Sequence, residues 1–510
     1  MPKTKRFSKK EWSWIMYDWA NSIYATNIMA AIYPTIFASA VEGGDIRWGY
    51  ATSAATLIVA LLAPFLGSLA DYKGMKKKLF TAFMLIGVIF TPLMVFTGHW
   101  KLCLVGYVIS RIGFAGSCLF YDSFLTDVTT DERMDKVSSW GYAMGYIGGS
   151  TIPFIISIAM LLIFDYNTFA QTFSVLIVSA WWLVFSIPML KNVHHEHYRE
   201  FDGSFSVGAI WSGVKTTFRD ICKRKGLLFF VLAYFFYIDG VDTVISISTA
   251  YGTTLGLGAT GMIIALLVTQ IVAMPCSIWF AKLSEKFSAR KALTGAVAVY
   301  VIICLLGFYM GYTMEPSQDA YNTVFAEAYS EIAVPEELEK DAEELKDEIV
   351  SAYKSDDAAE KIAALSLKED MNEAEASLDA QIKQTLTAAA DREKEKVEAF
   401  KSAIARSSML FWVMAVMVGT VQGGIQAVSR SYFGKLIPKQ RSNEFYGFFD
   451  IFGKFAAFMG TAIYAFVADK TGRSSFGVVS VAVLFAIGMF FLLFGSKEMK
   501  RLEQEHIGEA

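Results

Sequence analysis

Twelve apolar runs recur along this chain of 510 residues, each about the 20 residues that carry a helix across a bilayer's hydrocarbon core. They fall at about 12–41, 48–71, 79–97, 101–127, 137–163, 168–190, 226–254, 260–283, 290–312, 407–433, 442–468 and 474–494. In lipid every backbone N–H and C=O has to be satisfied within its own segment, so such runs read as helices. The predicted fold is an all-α polytopic membrane protein, and a composition of 54% hydrophobic and 19% charged residues agrees. The N-terminus is basic (Lys3, Lys5, Arg6, Lys9, Lys10), but the run that follows carries Asp18 and Asn21 and lacks a small-residue cleavage site. It reads as a retained first span, not a signal peptide. The five cysteines show no metal-ligand spacing, and none lies in the long acidic segment, which excludes a disulfide framework there.

An even number of spans puts both termini on one side. The N-terminus, the 72–78 turn, Arg133 and Lys136, the 191–225 segment, Lys286, Arg290 and Lys291, and Lys435, Lys439 and Arg441 all fall on that side. The opposite short loops show only Arg47, Lys101, Lys470 and Arg473. Positive charge marks the cytoplasmic side, so both termini are expected in the cytoplasm. The membrane would be the cell (inner) membrane of a prokaryote or a vacuole-type membrane of a eukaryote.

The runs divide into halves. Residues 1–190 hold six spans and 191–225 form a basic connector. Residues 226–312 hold three more spans, 313–405 an insertion, 406–495 the last three spans, and 496–510 a tail. The turn Gly67-Ser68-Leu69-Ala70-Asp71-Tyr72-Lys73-Gly74-Met75-Lys76-Lys77-Lys78, between spans two and three, has an eroded echo at Ala281–Lys291, between spans eight and nine. Twelve helices in two pseudo-symmetric halves, with a long central loop, follow the logic of a rocking transporter whose site lies between the halves. Gly67 is suited to close helix contact, and Gly74 to a turn that a Cβ would strain.

The insertion is the anomaly. It holds 24 acidic and 10 basic side chains, which leaves the rest of the chain at +11 although the whole is −3. It falls between spans nine and ten, outside the cytoplasm. Leu338, Leu345, Ile349 and Ala352, then Leu378, Ile382 and Leu386, recur at helical spacing, predicting two or three amphipathic helices, the last running on into span ten. A solvated acidic hairpin packed on itself is the plain reading; a docking site for a protein partner or a cation-attracting surface is the other.

Ionisable groups inside a span cost about 3 kcal/mol each by insertion scales, so several together mark a polar cavity or internal ion pairs. In span one, Asp18, Asn21, Ser22 and Ala25 share a helical face. In span four, Arg111 and Asp122 share a face but stand about 16 Å apart, too far to pair with each other. Span seven lines up Asp239, Asp242, Thr243 and Ser246; span eight adds Gln270, and span ten Gln422 and Gln426. Asp450 and Lys454 stand four residues apart in span eleven and can pair. We expect Asp18, Asn21, Arg111, Asp122, Asp239, Asp242, Gln270, Gln422 and Gln426 to line a pathway for substrate and proton, with Asp239 the carboxylate that carries the proton. Span five carries Gly141, Gly145 and Gly149 at four-residue spacing, a packing face. The tract His194-His195-Glu196-His197 reads as a solvated loop, with a transition-metal trap as the alternative.

The turn at Gly67 matches the cytoplasmic signature of the major facilitator superfamily. Three further stretches narrow the resemblance: Tyr17-Asp18-Trp19-Ala20-Asn21-Ser22-Ile23-Tyr24; Tyr237-Ile238-Asp239-Gly240-Val241-Asp242-Thr243-Val244-Ile245; and Ser429-Arg430-Ser431 leading to Phe448-Phe449-Asp450-Ile451-Phe452-Gly453-Lys454-Phe455. Together they resemble the vacuole-effluxer-like family, whose autophagy-related members are linked to amino-acid efflux. The resemblance covers nearly all of the membrane portion. It implies the major facilitator fold, adds Tyr24 to the pathway, and assigns Gly67, Asp71, Gly74, Lys76, Lys77, Asp450 and Lys454 to gating. Asp71 and the lysines would latch the halves together on the cytoplasmic side, so Asp71→Asn would shift the resting population towards inward-open. The echo has Glu285 near the acidic position and lacks both glycines, so the latch would be asymmetric.

No P-loop, dinucleotide-binding glycine pattern, zinc-protease helix or hydrolase nucleophile is apparent, so neither an enzyme nor an ATP-driven pump is expected, and no cofactor or nucleic acid partner. The expected function is secondary transport of a small polar organic solute, amino acids by resemblance, coupled to protons. The competing reading is a membrane receptor or scaffold on a transporter fold, working through the acidic insertion.

Overall fold

A computed structural model describes the chain except for residues 1–5, 96–98, 201–206, 255–258, 356, 369 and 510. The expected charges at Lys3 and Lys5 lie outside the described residues. Among the described residues, twelve helices are long and apolar enough to cross a membrane, from Lys9–Ala40 to Ser474–Phe494. The first is started by Ser8, which caps the Glu11 amide while Glu11 accepts from the Ser8 N–H. Spans one and five each contain a widened π turn, at Tyr24–Ala30 and Gly145–Thr151. Beside them span one presses into the glycine face of span five: a methyl group on Gly148 would lie 1.8 Å from the Trp19 ring, and one on Gly149 2.5 Å from Ser22.

Each half has its own apolar core. One gathers Trp14, Tyr107, Phe120 and Trp182 from the first six spans. The other joins Phe230, Tyr300 and Phe485 of the last six to Leu345, Ile382 and Leu386 of the insertion without a break. Between the halves, span two (Ile46–Ala70) packs on span eleven (Lys439–Thr471), and span five (Asp131–Ile163) on spans eight (Ile264–Phe287) and ten (Lys394–Leu436).

Spans nine and ten do not stop where the insertion was expected to begin and end. Ala289–Ser330 is one helix of 42 residues and Lys394–Leu436 one of 43. At 1.5 Å per residue each is about 60 Å long, twice the hydrocarbon thickness, so both run on as arms. Tyr321 on one arm packs against Phe400 of the other, with ring centroids 4.5 Å apart and the planes tilted by 38°. Helices Glu339–Ala352, Ala358–Ala364 and Glu373–Arg392 close the tip and bury Leu345, Ile349, Ile362, Ile382 and Leu386. Among the described residues, none of the large exposed apolar side chains falls between 313 and 405.

The connector differs from a solvated loop. The backbone N–H groups of Glu196 and His197 donate to Asp127 Oδ1 at 3.1 and 2.9 Å, which docks the tract on span four. Burial, with Lys76 nearby, pushes the His195 imidazole down to about 4 and keeps it neutral. No group of three metal-ligating side chains occurs among the described residues. Beyond it, Val207–Lys223 forms a further helix on the terminus-bearing face.

Candidate functional site

The two halves meet in three polar clusters near the terminus-bearing face. The first is built on the Gly67 turn. Gly74 adopts φ +72°, which lets span three start at Met75. Gly67 packs on span eleven so closely that a methyl group would lie 2.4 Å from the Asn443 carbonyl oxygen. The Asp71 carboxylate, fully buried, accepts from the backbone N–H of Asn443 (2.9 Å), the Asn443 side-chain amide (2.8 Å) and the Glu444 N–H (3.1 Å). It thus caps the first turn of span eleven from the opposite half, where free N–H groups favour an anion. Burial, then the neighbouring Glu444, pushes the Asp71 carboxyl up to about 7, while the Asn443 donors pull it down. Lys76 completes the cluster with Asp127 Oδ2 at 2.6 Å and Ser442 Oγ at 3.3 Å. Lys77 turns away, to the Val193 carbonyl oxygen at the start of the connector, at 2.7 Å.

The second cluster stands at the pseudo-symmetric position and uses different residues. Asp135 of span five accepts from Ser284 of the echo (2.5 Å) and from Ser431 (2.6 Å), and pairs with Lys435 (2.7 Å). Asp131 pairs with Lys439 at 3.1 Å. Here both anions, Asp131 and Asp135, come from span five, and the echo contributes Ser284.

The third cluster is central. Arg430 of span ten reaches into the first half, with Nη1 2.9 Å from Asp122 Oδ1 and Nη2 3.3 Å from Asp18 Oδ2. Its Nε donates to Ser138 Oγ (3.0 Å) and Nη2 to the Ser138 carbonyl (3.1 Å). Tyr121 O–H donates to Asp18 Oδ2 at 2.7 Å, and the Trp14 and Tyr142 rings lie 4.6 and 4.5 Å from the guanidinium carbon. With 3% of its surface exposed, this cation is tied to two carboxylates across the interface. Such a pair costs little as long as every donor is used, and its isolation is expensive.

Of the predicted residues, Asp18 and Asp122 meet at Arg430, and Asn21 lies beside them, its amide 3.6 Å from Cys118 Sγ. Asp450 and Lys454 pair as expected and stand within electrostatic reach of Asp122 and Cys118. Asp242 is half-buried near Tyr234 and Tyr300. Gln422 is buried; Gln426 and Gln270 are half-buried, and Gln270 Oε1 has no hydrogen-bond partner among the described residues. The other three lie elsewhere. Tyr24 bonds Ser110 at 2.7 Å and stacks on Phe114 inside the first half. Arg111 reaches Thr56 Oγ1 of span two at 3.3 Å. Asp239 is buried against span eleven, where it accepts the Gly460 N–H at 2.7 Å. Its second oxygen and the Thr243 hydroxyl are both buried there. Sequence reasoning quoted Arg430 in a family stretch without giving it a role in the site, and passed over Asp127 and Asp135. The signal for Arg430 was present, the one charged residue in a run, 407–433, whose other polar side chains are uncharged.

Comparison with known proteins agrees with this architecture. Residues 48–318 and 401–505 match the family model described as vacuole effluxer Atg22 like, which leaves the insertion between the two matched stretches. A Bacillus subtilis protein described as the uncharacterized MFS-type transporter YxiO is 36% identical over 509 residues, 97% of this chain and 96% of its own length. Autophagy-related protein 22 of Yarrowia lipolytica is 20% identical over 74% of this chain, and the match spans 54% of that protein. Among solved structures, the proton:xylose symporter XylE superposes with a TM-score of 0.55 at 10% identity, over 95% of this chain and 94% of that one. The transporter FucP in its outward conformation gives 0.55 at 14% identity, over 96% and 98%.

Proposed function

This chain belongs to the vacuole effluxer Atg22-like family of major facilitator transporters, and from that premise we propose that it moves a small zwitterionic solute of the amino-acid class by proton-coupled alternating access. The observation that carries the reading is Arg430, a cation of one half held by Asp18 and Asp122 of the other. Rocking the halves apart on this face has to break that cluster and the two beside it. A solute carboxylate can take over the guanidinium, and a proton can take over a released carboxylate, so neither group is left charged and alone in the membrane. Asp242, Gln270 and Gln422 supply further polar contacts on the second half, and Asp239 is the proposed proton carrier behind them. The lysines of the Gly67 turn and of the connector support a cytoplasmic position for this face and both termini. A receptor or scaffold acting through the insertion is less well supported, because the described insertion turns its large apolar side chains inward.

The test is uptake of a mixed amino-acid panel by protein reconstituted in liposomes, with and without a pH gradient. Gradient-stimulated uptake of at least one amino acid is expected. Asp239→Asn should abolish the stimulation while leaving folded protein in the membrane, since an asparagine oxygen can still accept the Gly460 N–H. Uptake indifferent to the gradient in the native protein would remove the coupling, and an inert panel the substrate class.

A further inference from the structure

The connector helix Val207–Lys223 carries three distinct stripes. One faces protein: Thr217 and Ile221 are buried, and Arg441 at the start of span eleven bonds both Thr217 and Asp220. Gly213 lies on the same side, where a methyl group would come within 2.6 Å of Ser68 of the first half and of Glu444 of the second. The helix therefore rests on both halves at once, over the cluster built on Asp71. The second stripe is apolar and open: Trp211 is 58% exposed, Phe218 52%, and Cys222 stands beside them. Trp211 stacks on Phe65 at 5.5 Å, and Phe218 meets Phe448 at 6.1 Å. Phe65 lies five residues before the end of span two, about 8 Å into the membrane by helical rise. That is the depth of the headgroup–acyl boundary, where an amphipathic helix lies flat and an indole is at home. The third stripe is Lys215, Arg219 and Lys223, exposed at successive helical turns next to the apolar one. Among the described residues no carboxylate pairs with any of the three.

We propose that this helix is an anionic-phospholipid site, with Trp211 and Phe218 in the acyl boundary and Lys215, Arg219 and Lys223 on headgroup phosphates. The occupant is a lipid because the cationic row stands beside exposed aromatic side chains at membrane depth; a soluble anion has no use for the aromatic stripe. A seated lipid presses the helix onto Ser68 and Glu444 and so favours the closed form of this face. The inference stands on the helix alone and does not depend on what the protein transports.

The full-length protein in detergent, offered phosphatidylglycerol or phosphatidylcholine and examined by native mass spectrometry, tests it. The native chain should retain phosphatidylglycerol in preference. Combined Lys215→Gln, Arg219→Gln and Lys223→Gln should weaken that retention by roughly five-fold per side chain. Lys215→Arg with Lys223→Arg should keep it, which separates charge from folding. Inorganic phosphate should not displace the lipid. Equal retention of the two lipids, indifference to the triple substitution, or displacement by phosphate would each overturn the assignment.

Discussion

Arg430 shows how much one side chain holds at this interface. Arg430→Ala would leave Asp18 and Asp122 buried without their cation, and removal of one partner from such a pair costs about 3–5 kcal/mol. A fall in the thermal midpoint of the purified protein, together with loss of transport, is expected. Arg430→Lys should recover part of the stability and little of the transport, because an ammonium cannot fork between Asp18, Asp122 and Ser138. Asp71 makes a pH-dependent contribution. In the closed form its carboxyl is raised to about 7 by burial and by Glu444, and Lys76 is the cation that faces it. Once solvated by opening, it returns towards its ordinary 3.8, so the closed form holds the proton more tightly. Its contribution to closure is complete below the ordinary value and is lost as pH rises through about 7. Labelling of a cysteine placed at Ser123, buried against Asn443 at 2.5 Å, should therefore speed up above neutrality. In Asp71→Asn, labelling should be faster at the outset, because an amide oxygen cannot serve all three donors, and the step near neutrality should vanish.

Element by element, the membrane helices were legible because a run of 20 apolar residues has one outcome in lipid. The contact made by Gly67 was legible in kind but not in partner. Gly67→Ala places a methyl group 2.4 Å from the Asn443 carbonyl, so span two must withdraw from span eleven. It should open this face and speed labelling at position 123 at every pH, unlike Asp71→Asn. Side-chain direction was less legible. The polar stripe of span one was projected with an unbroken 3.6-residue period, yet a π turn begins at Tyr24, before Ala25 of that stripe; Tyr24, which came to the pathway by resemblance, ends in the first half's own core. Pairs between spans were beyond reach. Arg430 stands 308 residues from Asp122 and 412 from Asp18, whereas Asp450 and Lys454, four apart on one helix, announced themselves. Asp239 looked like a cavity carboxylate because sequence gives a stripe's composition without saying which neighbour covers it.

At the scale of the whole molecule, the family match breaks where the insertion stands, so the part shared with the family model lies outside it. Replacement of residues 331–393 by a short glycine–serine linker should leave a folded protein with its uptake intact. Loss of transport with retained folding would assign the insertion a direct role. The two arms carry a further consequence. Because spans nine and ten pass into the insertion as continuous helices, a tilt of the second half should carry the tip with it. A tilt of about ten degrees at the membrane would swing a tip some 30 Å out by about 5 Å. A fluorophore on the tip, read against one on the first half, would therefore turn each transport cycle into a visible stroke.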